Sequence, residues 1–165
     1  MARLRFERAR DKVLGQRELV ARTRSARRKG ECVVFTNGCF DVLHPGHVRS
    51  LEQAASLGDR LVVAVNGDAS IARLKGAERP IMPARMRCEL VAALGCVDWV
   101  TCFDADTPLS LITKLVPDVL AKGGDWAAHE IVGREVVEAA GGRVVRLQRV
   151  PGPRSSDWIE RIRGR

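Results

Sequence analysis

The chain has 165 residues, 45% hydrophobic and 29% charged, which suits one domain with a single core and excludes two large ones or a disordered chain. Its longest apolar runs, such as Leu61–Val65, fall far short of the roughly 20 residues a membrane helix needs. The formal charge is +8, and residues 1–30 hold the whole excess with 11 basic and 3 acidic side chains; residues 31–165 are balanced, so any attraction for nucleic acid is confined to one arm.

In chain order, that arm comes first. Leu14, Leu19, Val20, Thr23 and Ala26 recur at near-helical spacing, which predicts an amphipathic helix with a basic outer face. A solvated face and an anionic contact both fit it. From residue 32 onward, Cys32–Thr36, Arg60–Asn66, Trp99–Cys102, Val119–Ala121 and Arg143–Leu147 read as buried strands. Between them Val48–Leu57, Asp68–Leu74, Ala84–Leu94, Pro108–Leu115 and Gly133–Ala140 have helical spacing, and Trp158–Ile162 closes the chain. This alternation predicts an α/β fold, a doubly wound parallel sheet of about five strands with helices on both faces. In such sheets the loops beyond the carboxyl ends of the strands, near the topological switch point, carry the chemistry.

No apolar stretch with a small-residue cleavage site follows the basic N-terminus, so a cytoplasmic protein is expected. The five cysteines (Cys32, Cys39, Cys88, Cys96 and Cys102) form neither a CxxC nor a zinc-finger spacing, and reduced thiols packed as small hydrophobes are expected.

The loop after the first strand runs Asn37-Gly38-Cys39-Phe40-Asp41-Val42-Leu43-His44-Pro45-Gly46-His47 and holds two of the three histidines. Proline disfavours the α conformation in the residue before it and opens helices well, which places His44 in the loop and His47 in the first helical turn. Both can then face an anion at a helix N-terminus. Gly38 and Gly46 leave room for a phosphate near the backbone. No metal site is expected, because no Cys, Asp or Glu stands at a zinc spacing from the pair. G-x-G-x-x-G and G-x-x-x-x-G-K-[ST] are absent, so neither the dinucleotide fingerprint nor the P-loop finds support.

Gly38-Cys39-Phe40-Asp41 followed by His44-Pro45-Gly46-His47 resembles the cytidylyltransferase-like nucleotidyltransferases and their HxGH motif. Asn66-Gly67-Asp68, Leu74-Lys75-Gly76, Arg79-Pro80, Arg87, Val97-Asp98-Trp99, Thr107-Pro108 and Lys122-Gly123-Gly124-Asp125 extend the likeness from about residue 14 to 163. Within that family the combination resembles the adenylyltransferases that make ADP-heptose from D-glycero-β-D-manno-heptose 1-phosphate. The resemblance implies a Rossmann-like fold, a nucleotidyltransferase domain over 31–165 behind the arm 1–30, and transfer of AMP from ATP with release of pyrophosphate. It implies Mg²⁺ held mainly by the nucleotide phosphates, a separate kinase supplying the sugar phosphate, and a homo-oligomer, dimer or larger. His44, His47 and Lys75 become the catalytic candidates. Thr36, Asn37, Gly38, Cys39, Phe40, Asp41, Gly46, Arg87, Lys122, Gly123, Gly124, Asp125, Ser155 and Ser156 become nucleotide-binding candidates, and Asp68 and Arg79 substrate-binding ones.

Asp68 reads equally well as the N-cap of its own helix, and Phe40 as core. The family usually has Ser-Thr-Thr where this chain has Ser155-Ser156-Asp157. Asp157 either brings negative charge to a phosphate site or caps the last helix and points away. Two rival readings are a cytidylyltransferase for a polyol or amino-alcohol phosphate and a basic nucleic-acid-binding protein. The neutral remainder and the absence of Tyr weigh against the second, since single-strand binding uses aromatic stacking.

Overall fold

The computed structural model describes residues 7–123 and 131–164. Five parallel strands, β1 (Val33–Gly38), β2 (Arg60–Asn66), β3 (Trp99–Phe103), β4 (Val119–Lys122) and β5 (Arg143–Arg146), form one sheet in the order β3-β2-β1-β4-β5. The chain steps outward from β1 to β3, then returns to the other side of β1 for β4. The switch point therefore lies between the carboxyl ends of β1 and β4.

Successive side chains of β1–β4 point to opposite faces, and both faces are dry, which is why these strands read as unbroken apolar runs; β5, expected as a buried strand, is instead a sheet edge with Arg143 and Arg146 exposed and Val144 and Val145 half-buried. Val33, Phe35, Val62, Ala64 and Leu120 share one apolar cluster with helices α1 (Gln16–Arg28), α5 (Leu109–Leu115) and α6 (Arg134–Ala139). Val34, Leu61, Val63, Val65 and Val119 share the other with α2 (Pro45–Ala55) and α4 (Ala84–Ala92). Reversing the direction of travel across the sheet exchanges the helix-bearing face, as right-handed crossovers require. Helices α3 (Asp68–Lys75) and α7 (Ser155–Ile162) complete the set.

The arm departs from its expected outline at one point. Leu14 is not part of the helical stripe; Val13 bridges Val100, and the Leu14 backbone N–H donates to the Val100 carbonyl at 2.8 Å. The Thr101 hydroxyl donates back to the Leu14 carbonyl at 2.9 Å. This short extended piece covers the β3 edge, which would otherwise present unpaired backbone groups. α1 then buries Leu19, Thr23 and Ala26. Of the five thiols, Cys88 is buried and the other four are half-buried, all of them unpaired. No helix among the described residues is long and apolar enough to cross a membrane.

Candidate active site

Beyond β1 the backbone makes a tight excursion in which Phe40 (φ 49°) and Val42 (φ 58°) are both left-handed. Such conformations cost side-chain-bearing residues about 1–3 kcal/mol each and persist only where the surroundings impose them. The restraint is Asp41, which lies between them and is 1% exposed. Its carboxylate accepts from Arg79 Nε at 2.8 Å and from the backbone N–H groups of Ile81 (2.9 Å) and Met82 (3.0 Å). Burial by itself would raise the Asp41 carboxyl; the bonds from Ile81, Met82 and Arg79 outweigh it and hold the group below its ordinary range.

Pro45 is the first residue of α2 and His44 is its N-cap. The Gly46 backbone N–H donates to His44 Nδ1 at 3.1 Å. A Cβ on Gly46 would sit 2.8 Å from that ring, so the glycine of the motif is what lets the imidazole cap the helix. With Nδ1 accepting, the proton of neutral His44 is on Nε2. His47 packs with its centroid 3.9 Å from that of His44 and meets Phe40 edge-on at 5.3 Å. Burial, with the positive charges of His44 and Lys75 adding to it, pushes His47 down to about 4. Burial also lowers His44, against an opposing pull from Asp157. At neutral pH both rings are therefore uncharged donors. Phe40 is 8% exposed and belongs to the core cluster, as its core reading expected.

The pair opens onto a cleft of about 450 Å³ whose lining includes Gly46, Lys75, Gly123, Ser155 and Ser156. Arg49, Arg149 and Arg154 line it too, and no acidic side chain stands among the described lining residues. Ser155 and Ser156 open α7. Asp157 caps that helix, its carboxylate accepting from the Arg154 backbone N–H at 2.6 Å. Beneath the cleft, Lys122 Nζ donates to Asn37 Oδ1 at 2.8 Å, linking the ends of β4 and β1. Burial pulls Lys122 down to about 8. Thr36 is buried in β1, and Cys39 is half-buried with its carbonyl turned to Arg87. Gly38 packs under the Phe40 ring, where a Cβ would come within 3.0 Å of it. Gly124 and Asp125 lie outside the described residues.

Three expected ligand contacts are bonded within the protein. Arg87, expected to face the nucleotide, is fully buried and donates to the carbonyls of Met82, Cys39 and Asn66 and to Asp68 Oδ1, all at 2.6–2.8 Å. A buried guanidinium is tolerable only with such a set of acceptors. Asp68 does not cap its own helix, whose N-cap is Gly67. Its Oδ1 instead accepts from the Ala84 N–H at 2.8 Å and so caps α4. Arg79 is 10% exposed and held by Asp41, outside the cleft lining. Conversely, Arg49, Arg149 and Arg154 were missed. The signal was present in Arg146-Leu147-Gln148-Arg149-Val150-Pro151-Gly152-Pro153-Arg154, a basic, turn-rich loop that follows a strand's carboxyl end.

Uncharged donors at a helix N-terminus, faced by cations, suit the transfer of a nucleotidyl group, and with the parallel sheet behind them they define a nucleotidyltransferase. The chain belongs to the cytidylyltransferase-like family, whose model matches residues 35–158. It is 53% identical over 153 residues to the bifunctional protein HldE of Halorhodospira halophila (strain DSM 244 / SL1), covering 93% of this chain and 32% of that protein. The bifunctional protein HldE of Pseudomonas syringae pv. syringae (strain B728a) is 51% identical over 152 residues, 92% of this chain and 32% of the relative. The chain thus spans about a third of the length of the curated relatives it matches. Among solved structures, a lipopolysaccharide core biosynthesis protein from Thermoplasma volcanium GSS1 superposes with a TM-score of 0.64 at 30% identity, covering 74% of this chain and 100% of that one. A pantoate-beta-alanine ligase from Francisella tularensis (TM-score 0.54, 12% identity, 81% of this chain and 66% of that one) shares the fold alone.

Proposed function

We propose that the chain transfers AMP from ATP to D-glycero-β-D-manno-heptose 1-phosphate, giving ADP-heptose and pyrophosphate. The stacked, uncharged His44 and His47 at the mouth of a cationic cleft carry this reading. The relatives named HldE and the lipopolysaccharide core biosynthesis protein support the sugar class.

The sugar phosphate arrives already anionic, since a phosphomonoester has a second pKa near 6, and needs no general base. One of its oxygens forms a bond to the α-phosphorus of ATP while the bond to the bridging oxygen breaks and pyrophosphate leaves with the electron pair. The protein's part is in-line placement and charge stabilisation. His44 donates through Nε2 and His47 through its single N–H, while Lys75 supplies fixed positive charge. Ser155 and Ser156 offer hydroxyls and the α7 N-terminus to phosphate oxygens. Lys122 and Asn37 hold the floor on which the nucleotide rests. Mg²⁺ bound to the triphosphate adds charge neutralisation. No group of three or more His, Cys, Asp or Glu among the described residues could hold a metal, and the Asp157 carboxylate is engaged by Arg154, which fits a metal carried by phosphates and water.

Pyrophosphate release across a panel of nucleotides and phosphorylated sugars tests the proposal. ATP with the heptose 1-phosphate should give a kcat/KM at least about tenfold above CTP with the same sugar. Release with CTP and glycerol 3-phosphate but none with ATP would move the activity to the cytidylyltransferases of alcohol phosphates.

A further inference from the structure

α1 and α5 lie side by side on the sheet face opposite α2, and a groove of about 560 Å³ runs between them. Val20, Leu115 and Val116 line its apolar part, and Arg17, Arg24 and Arg27 from α1 face Lys114 from α5 across it. Arg27 is neutralised by Asp118 at 3.1 Å. Arg17, Arg24 and Lys114 are exposed and form no ion pair with any described residue. Arg17 and Arg24 are seven residues apart, two helical turns, so they leave α1 on the same side about 10 Å apart with Val20 between them. Uncompensated cations gathered around an aliphatic floor repel one another until a partner supplies negative charge.

We propose that this groove docks an acidic amphipathic helix of a protein partner, which lays an aliphatic side chain on the half-buried Val20 and Val116 and sets carboxylates against Arg17, Arg24 and Lys114. The apolar floor selects a protein over a polyphosphate chain, whose charges would leave it uncovered, and the groove has no aromatic side chain on which a base could stack. A second copy joined by a twofold axis would bring like cations together. Helix-in-groove recognition needs carboxylates two turns apart with an aliphatic anchor between them, matching the Arg17–Val20–Arg24 stripe. The groove uses none of the residues assigned to nucleotidyl transfer.

The probe is a fluorescein-labelled helical peptide of about 18 residues carrying Glu at i and i+7 and Leu at i+4, read by anisotropy at about 50 mM salt. Saturable binding should weaken at least about tenfold in the double variant Arg17→Glu/Arg24→Glu, and also when the peptide Leu is replaced by Ser. Pyrophosphate release by that variant should stay at the wild-type rate, which also shows that it is folded. The proposal is overturned by absence of saturable binding, by equal binding to wild type and variant, or by indifference to the peptide Leu. Tighter binding of a thymidine oligonucleotide at the same groove would make it a nucleic-acid surface instead. Self-association in sedimentation velocity that the double variant abolishes would make it an interface between copies.

Discussion

Arg87 and Lys75 both belong to the segments that gather at the carboxyl ends of the strands, yet the protein treats these cations in opposite ways. Arg87 is fully buried and spends its donors on three carbonyls and a carboxylate. Lys75 is exposed on the cleft, among Arg49, Arg149 and Arg154, with no acidic lining residue to answer it. The internal set, Asp41–Arg79 and Arg87–Asp68, spends its charge on partners within the protein and fixes backbone. On the cleft, Lys75 and Arg49 form no ion pair with any described residue and are left for an anion that comes from outside. Charge bonded inside the protein and charge that faces the cleft thus differ most in solvation, Arg87 being fully buried and Lys75 exposed.

The largest expected effect comes from breaking the buried side. Arg87→Met strands the carbonyls of Cys39, Asn66 and Met82 and leaves Asp68 without its cation. Leaving a buried acceptor without its donor costs about 1–3 kcal/mol, and with three carbonyls stranded the urea midpoint should fall sharply. An unchanged midpoint with a raised KM for ATP would instead place Arg87 at the triphosphate and erase the distinction. On the cleft side the consequences should be catalytic. His44→Ala and His47→Ala should each lower kcat by about 10²–10³, as loss of a transition-state donor does. His44→Ala should also lose about 1 kcal/mol of stability with the α2 cap. Near wild-type turnover at saturating substrates would remove either histidine from the mechanism.

Protonation offers a way to cross from one side to the other. His47 is held at about 4, against 6.5 for a free imidazole. Between those values the unfolded chain takes up a proton that the folded one refuses. Its contribution to stability is therefore full above about pH 6.5 and is lost as pH falls through about 4, by roughly 2–3 kcal/mol across the window. Urea midpoints measured from pH 7 to pH 4 should show this slope in wild type and a shallower one in His47→Gln. Equal slopes would mean that His47 is not desolvated.

The fold was legible because strands buried on both faces leave continuous apolar runs, and those runs matched β2 residue for residue. The histidine pair was legible because Pro45 dictates where a helix can begin. The internal bonds of Arg79, Arg87 and Asp68 were not, since in sequence a charge bonded within the fold looks the same as a solvated one. What draws Arg87 inward is the convergence of carbonyls 5, 21 and 48 residues away, a property of the folded loops. Leu14 failed for a related reason: apolar spacing cannot distinguish the last turn before a helix from an extended residue capping a sheet edge.

The smallest expected effect concerns the position where the chain departs from its family. A carboxylate beside a triphosphate site would ordinarily repel substrate, but Asp157 is held by the Arg154 N–H as the third residue of α7. There it serves the helix, and a carboxylate in a first turn is worth only about 0.3–1 kcal/mol. Asp157→Thr should therefore leave KM for ATP within about twofold while lowering the melting temperature by a few degrees or less. A severalfold fall in that KM would mean the carboxylate faces the phosphates in the working enzyme. In that case Asp157 belongs with the cleft charges, and the positive charge of Lys75 is partly answered before any substrate arrives.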